Sequence, residues 1–166
     1  MKCHLNSLAD KSNIQYATFM RLNLHTDYAL RLLMFLAQRQ GQSSVDDIAG
    51  AFGISRNHLM KVAQQLAALG LVEARRGRGG GLVLAKPADQ INVGALVRVL
   101  EPTGQFVECF DRATSGCVIA GACGLQGALN LALGDFLARL DRCMLSDLIP
   151  DPQRFARALA ARLPPA

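Results

Sequence analysis

The stretch that most constrains the fold is SSVDDIAGAFGISRNHLMKVAQQLAALG, residues 43–70. Apolar residues recur at helical spacing on both sides of Gly53, and Ser44 and Ser55 stand where helix caps are expected. Two short helices joined by a tight Gly-Ile-Ser turn indicate a helix-turn-helix, in which small or apolar residues such as Ala49 and Val62 allow a close crossing. We predict that the second helix ends at Gly70.

After Gly70 the apolar period changes from helical to alternating. The runs LVEARR and GLVLAK enclose a glycine-rich tip and predict a hairpin, which directly after a recognition helix is a wing. Glycine clusters also cradle phosphates in nucleotide sites, but those sites need a helix after the loop, and here a second strand follows. A hairpin with only a structural role remains an alternative.

Basic residues concentrate on the two elements that would touch DNA, in a chain with a formal net charge of +5 and a pI near 9.2. Arginine can read guanine and asparagine can read adenine in the major groove, while arginines around a glycine tip suit the phosphate backbone or a minor groove. We therefore predict a double-stranded DNA operator as the partner. The predicted contacts are Ser55, Arg56, Asn57, His58, Lys61, Arg75, Arg76, Arg78, Gly79 and Gly80.

The predicted fold is mainly α with a small β-hairpin: a winged helix-turn-helix domain plus a long C-terminal dimerisation helix. Thr26 or Asp27 is expected to cap the first helix, which ends before Gly41, and Asn92 to cap a helix that closes the winged domain. A wide leucine stripe then predicts a helix that packs on its twin as a homodimer, or folds back on its own domain. The expected organisation is an N-terminal extension at 1–19 (a disordered arm or mis-assigned start), the winged domain at 20–103, a cysteine loop at 104–124, the dimerisation helix at 125–149 and a tail at 150–166.

Three of the five cysteines, Cys109, Cys117 and Cys123, lie within fifteen positions. The first nineteen residues lack the apolar core of a secretory signal, and no run of about eighteen apolar residues could span a membrane, so we expect a cytoplasmic protein without a membrane partner. In a reducing compartment, clustered cysteines are more often metal ligands or reactive thiols than disulfide partners. Their spacing does not fit a zinc ribbon. Three separate buried thiols remain the alternative.

Catalysis is not expected. There is no glycine fingerprint between a strand and a helix, no Ser/His/Asp set, and only three histidines. A redox enzyme or electron carrier that uses a metal cluster bound by the same cysteines is the competing class.

Three segments carry a family resemblance: MRLNLHTDYALRLLMFLA from Met20, the run SRNHLMKVAQQLAALGLVEARRGRGGGLVLAKP, and VLEPTGQFVECFD leading into the cysteines. Over about residues 20–149 the chain resembles the family of dimeric winged-helix iron–sulfur regulators that includes the NsrR, IscR and RirA proteins. The resemblance implies a transcriptional repressor with a cluster bound by Cys109, Cys117 and Cys123. It favours [4Fe–4S], with [2Fe–2S] as the alternative.

Within that family, the Asn-His-Leu-Met-Lys run from Asn57 is most similar to the nitric-oxide-sensitive NsrR type. The Thr-Asp-x-Ala-Leu-Arg context implies that Asp27 of the partner subunit is the fourth cluster ligand, and the alternative is that Asp27 caps a helix. The similarity to the NsrR type implies nitric oxide as the signal that releases DNA. On this hypothesis, loss of the Asp27 contact changes the distance between the two recognition helices from the value of about 34 Å that operator binding requires, and operator affinity falls. The Cys109–Cys117 interval is similar to that of RirA-type proteins, so an iron- or cluster-supply sensor is one alternative and a cluster-free thiol regulator another.

Overall fold

The computed structural model describes residues 22–161 except 40, 76, 78, 79, 102–106, 108, 109, 112–114, 120 and 121. This part of the chain contains six α-helices, one antiparallel hairpin and two 3-10 helices. It confirms the predicted mainly α fold with a small β-hairpin. The elements are α1 Leu24–Gln38, α2 Val45–Phe52, α3 Arg56–Ala68, β1 Val72–Arg75, β2 Gly81–Leu84, a 3-10 helix Ala88–Gln90, α4 Val93–Leu100, α5 Gly124–Leu140, a second 3-10 helix Leu145–Leu148, and α6 Pro152–Ala160.

The described residues form two compact units. The first runs up to Ile91 and resumes at Met144, so it contains α1, α2, α3, the hairpin, both 3-10 helices and α6. The second is the intervening segment Asn92–Cys143, with α4 and α5. The predicted extension at 1–19 lies outside the described residues.

Helix α1 begins earlier than predicted. Asn23 is its N-cap, and the Asn23 side-chain oxygen accepts a hydrogen bond from the Thr26 backbone N–H at 2.8 Å. The prediction that Thr26 or Asp27 caps this helix is therefore wrong. Asparagine is among the strongest N-caps, and its position three residues upstream leaves Thr26 inside the helix and fully buried.

The helix-turn-helix is confirmed. A capping box starts α2, since the Ser44 hydroxyl accepts from the Asp47 N–H and the Asp47 carboxylate accepts from the Ser44 N–H. Gly53 ends α2 with a φ of +65°, a left-handed conformation that favours glycine. Helix α3 then packs its buried face against α1 and α2. That buried face consists of Leu59, Val62, Ala63 and Leu66.

The hairpin pairs Val72 with Leu84 and Arg75 with Gly81, and its second strand is bridged at Leu82 to Ser43 in the segment between α1 and α2. The Ser43 N–H donates to the Leu82 carbonyl at 3.0 Å, and the Leu82 N–H donates back to Ser43 at 2.8 Å. A Cβ at Gly81 would lie 2.6 Å from the Ser43 carbonyl oxygen. Glycine at 81 therefore permits the close approach that anchors the hairpin.

The C-terminal segment completes the core of the first unit. The 3-10 helix Leu145–Leu148 packs against α1, and α6 packs against α1 and α2. Leu145 is fully buried, and Leu159 on α6 is 8% exposed. Asp151 caps α6 and Pro152 occupies its first turn, as expected for a helix start. The tail predicted at 150–166 is thus helical over Pro152–Ala160.

In the second unit, α4 packs against α5. Asn92 caps α4 as predicted, because its side-chain oxygen accepts from the Ala95 N–H at 2.8 Å. Helix α5 ends at Leu140, so the prediction of one helix reaching residue 149 is wrong. The apolar pattern continues beyond Leu140 to Leu145, which is also buried. Leu145 lies in a separate 3-10 helix that follows a turn.

Candidate functional site

The solvent face of α3 carries the residues predicted to read DNA. Arg56, Asn57, His58 and Lys61 are all exposed, and Gln64 extends the same face by one turn. The opposite face is buried, so these polar side chains must point away from the core. Ser55 is the N-cap of α3, yet its side chain forms no capping hydrogen bond. The N-terminal turns of α3 thus present hydrogen-bonding side chains to solvent.

Arg56 is held in a defined arrangement. Its Nε lies 2.8 Å from Asp46 Oδ1 on α2, and its Nη1 lies 3.2 Å from the sulfur of Met60, one turn further along α3. Both members of the ion pair are more than half exposed. The pair therefore joins the outer surfaces of the two helices of the helix-turn-helix.

His58 contacts α1 through Tyr28. The two ring centroids are 6.4 Å apart, with an interplanar angle of 31°. Tyr28 directly follows Asp27 in α1, so the start of α1 lies close to the exposed face of α3.

The wing contributes Arg75 and Gly80 to the described surface. Arg75 is exposed at the end of β1, and the Gly80 N–H donates to the Gly77 carbonyl at 2.8 Å. A Cβ at Gly80 would lie 2.6 Å from the Arg75 carbonyl oxygen, and Gly77 has a φ of +117°. Both glycines are needed for the tight tip. The predicted contacts Arg76, Arg78 and Gly79 lie outside the described residues.

The sequence interpretation did not include Asp46 or Gln64. Gln64 follows Lys61 by three positions, so helical spacing alone places it on the same face. Asp46 is ten residues before Arg56, across the turn, and no local pattern indicates that the two side chains meet.

Of the three predicted cluster cysteines, the structure describes Cys117 and Cys123. Both are half-buried, and neither forms a disulfide with another described residue. The Cys117 N–H donates to the Ser115 hydroxyl at 3.3 Å. Cys109 lies outside the described residues, and the described part alone contains no group of three potential metal ligands.

Cys123 has a favourable position for a metal-binding thiolate. It is the N-cap of the 17-residue helix α5, and its side chain forms no capping hydrogen bond. The partial positive charge of a helix N-terminus favours a negatively charged group there. Cys117 and Cys123 are thus two free thiols in the segment before α5, and thiolate is a preferred ligand of iron.

Asp27 is already engaged on its own helix. Arg31 donates to both of its carboxylate oxygens, with Nη2–Oδ2 at 2.8 Å and Nε–Oδ1 at 2.9 Å. The pair is partly exposed, a setting in which ion pairs contribute little to stability. Two residues earlier, Nε2 of His25 is buried without a hydrogen-bond partner among the described residues. That Asp27 of the partner subunit binds a cluster stays a prediction.

None of the described helices is both long enough and apolar enough to cross a membrane.

A helix-turn-helix followed by a β-hairpin defines the winged-helix class of DNA-binding proteins. Residues 22–151 match the model of the Rrf2 family, described as iron-dependent transcriptional regulators, and the chain belongs to this family. The chain is a DNA-binding transcriptional regulator, as the sequence predicts.

Three similarities describe its place in the family. A Bacillus subtilis protein named HTH-type transcriptional regulator NsrR is 46% identical over 142 residues, which are 84% of this chain and 97% of that protein. The solved structure of CymR from B. subtilis, a global cysteine regulator, shares 27% identity with a TM-score of 0.57, and the match covers 78% of this chain and 95% of CymR. T. potens IscR shares the fold at 24% identity with a TM-score of 0.63, over 90% of this chain and 96% of that one. The resemblance to NsrR-type regulators is thereby confirmed.

Proposed function

We propose that this protein is a dimeric cytoplasmic repressor whose operator affinity depends on an iron–sulfur cluster and is lost on exposure to nitric oxide. The observation that carries the proposal is the 46% identity with a regulator named NsrR over nearly its whole length. The class of regulator is established by the family. The cluster, the signal, the dimer and the compartment are the proposed parts.

Operator recognition is assigned to α3 and the wing. Asn57 and Lys61 are exposed on the α3 surface that would enter a major groove, and Arg75 stands at the base of the wing tip. Close contact with the phosphate backbone is easier at a tip built of glycines, because no side chain holds the main chain away from the DNA. The other predicted residues of α3 are proposed to contact base edges, and the other predicted residues of the wing are proposed to contact the phosphate backbone or a minor groove.

The proposed cluster ligands are Cys109, Cys117 and Cys123 with Asp27 of the partner subunit. Iron in the bound cluster supplies the chemistry that reacts with nitric oxide, and [4Fe–4S] is the favoured form. Cys117 and Cys123 are each half-buried and form no disulfide with another described residue, so both thiols are available as ligands. The carboxylate is the harder ligand and the weaker match for iron in this set.

Arg31 donates to both carboxylate oxygens of Asp27, and each of these oxygens keeps a further lone-pair site. Asp27 can therefore bind a metal while its pair with Arg31 stays in place. Arg31 would orient the carboxylate both with and without a bound metal.

The proposed dimer uses α5. Leu125 and Leu131 on this helix are 64% and 74% exposed in the single chain, and Leu137 is its one buried residue. Large exposed apolar side chains along one helix are typical of a surface that a second subunit covers. Packing of α5 against α5 of the second subunit is one way to set the distance between the two recognition helices.

A second function is favoured by one observation. The matching family model is described as iron-dependent, which supports a sensor of iron or cluster supply on the same scaffold.

The test is anaerobic purification of the full chain, followed by visible absorbance and binding to a duplex selected from random DNA. One arm receives stoichiometric nitric oxide and the other a mild iron chelator. Loss of cluster absorbance and duplex binding with nitric oxide alone supports the proposed repressor. Loss with the chelator alone supports the iron sensor, and protein purified anaerobically without iron contradicts both.

A further inference from the structure

The ion pair between Asp46 and Arg56 links one residue whose charge attracts DNA to another whose charge repels it. Arg56 begins α3 and is a proposed base-reading residue, whereas Asp46 carries a negative charge on the neighbouring surface of α2. An acidic side chain beside a DNA-binding surface repels phosphate and lowers affinity for every sequence. Its placement there therefore needs a compensating role, and the 2.8 Å contact with Arg56 provides one.

The geometry determines which edge of the Arg56 guanidinium is available. Asp46 occupies Nε, and Met60 contacts Nη1 through its sulfur. Arginine has five N–H donors in a planar fork, so the terminal edge formed by the two Nη groups keeps donors directed away from α2. That edge can donate in parallel to O6 and N7 of guanine.

We propose that Asp46 is a positioning residue for Arg56, which fixes the guanidinium so that its terminal edge reads a guanine in the operator. This inference rests on the proposed role of α3 in reading DNA. A long arginine side chain loses rotamer freedom on binding, and an ion pair that already restricts the side chain reduces that loss. The charge of Asp46 thus weakens binding to DNA in general, and its positioning of Arg56 offsets this at the one base pair that Arg56 reads.

The experiment uses the full-length protein and the duplex that it selects from random DNA. Each G·C pair of that duplex is replaced in turn, and Kd is measured at several salt concentrations for wild type, Asp46→Asn, Arg56→Ala and the double variant. Asp46→Ala is measured as well, because alanine removes the oxygen that accepts from Arg56. Asp47→Asn is the matched control. It removes the same charge at the next position, and asparagine retains an oxygen that can accept from the Ser44 N–H.

We expect Arg56→Ala to abolish the penalty for replacing one particular G·C pair. Asp46→Asn should reduce the penalty at that same pair by about threefold, a size typical of an exposed ion pair. Adding Asp46→Asn to Arg56→Ala should change no further base preference. Both Asp46→Asn and Asp47→Asn should tighten binding to unrelated DNA to a similar extent, while Asp47→Asn leaves base discrimination intact.

Two results would overturn the inference in distinguishable ways. If Arg56→Ala removes a base preference that Asp46→Asn and Asp46→Ala both leave unchanged, Asp46 does not position Arg56, although the DNA-reading role of α3 stands. If Arg56→Ala alters no base preference, the inference and the reading role of Arg56 both fail. A wild-type protein that selects no DNA sequence would refute the inference together with the proposed function.

Discussion

The guanidinium of Arg98 on α4 donates hydrogen bonds to both carboxylate oxygens of Asp141, which is the C-cap of α5. The Nη2–Oδ2 distance is 2.7 Å, and the Asn92 side chain also donates to the Asp141 carbonyl at 2.7 Å. One residue therefore connects the end of α5 to both the cap and the last turn of α4.

The Arg98 contact should make the second unit sensitive to acid. Its hydrogen bond, assisted by its positive charge, lowers the pKa of Asp141 below the usual 3.8. A carboxylate whose pKa is lowered on folding stabilises the fold above its unfolded pKa, and this contribution disappears as the pH falls through the folded value. We expect the free energy of unfolding to fall more steeply between about pH 5 and pH 3 in wild type than in Asp141→Asn. Urea unfolding at each pH measures this, and parallel pH profiles would contradict it.

Gly94 should be essential to the contact between α4 and α5. A Cβ at this position would lie 2.6 Å from the Asp141 backbone nitrogen. Gly94→Ala is expected to lower the free energy of unfolding by about 1–3 kcal/mol, the usual cost of overpacking. The control is Gly50→Ala on α2, which is also an eight-residue helix, where a Cβ meets nothing within 4 Å and helix propensity favours alanine. Similar effects of the two substitutions in urea unfolding would refute the steric explanation.

Gly81→Ala should detach the wing from the segment between α1 and α2. The added methyl group would push against the Ser43 carbonyl, so the Leu82 N–H loses its 2.8 Å bond to Ser43. Hydrogen exchange at Leu82 should accelerate by at least about tenfold, which corresponds to roughly 1.4 kcal/mol. The Ala85 N–H, which bonds to Leu71 across the hairpin, is the internal control. Equal acceleration at both amides would mean that the whole hairpin opens instead.

Cys117→Ala should abolish visible cluster absorbance in anaerobically purified protein and leave helix content unchanged. The matched variant is Cys143→Ala, because Cys143 is buried and its thiol contacts the Arg139 carbonyl at 3.6 Å, so it has no proposed ligand role. This variant should keep its cluster spectrum. Retained absorbance in Cys117→Ala would remove that thiol from the ligand set.

Much of the fold was predictable because its signals are local. Helix caps and turns depend on residues only a few positions apart, so they can be recognised in the sequence. Examples are the capping box of Ser44 and Asp47, the helix end at Gly53 and the cap at Asn92. The start of α1 was missed because three successive capping candidates, Asn23, Thr26 and Asp27, lie within five positions. Only the backbone shows that the first one is the cap.

The errors and omissions in longer-range structure have a common cause. Periodicity reports burial but not which element buries a side chain. The apolar pattern that continues past Leu140 therefore predicts one helix, although Leu145 lies in a separate 3-10 helix. In the same way, Asp46 and Arg56 are individually unremarkable exposed charges, and their pairing depends on how α2 and α3 cross. Tertiary contacts between charges leave no periodic trace in the sequence.

The order of the chain through the first unit has a consequence for biosynthesis. A ribosome that has completed the recognition helix and the wing has not yet made Leu145 or Leu159, and both side chains belong to the core beneath α1. The nascent DNA-binding unit therefore keeps an open apolar surface until the residues after Cys143 emerge from the exit tunnel. Assembly of the part that would bind the operator thus comes after synthesis of the cysteine loop and α5.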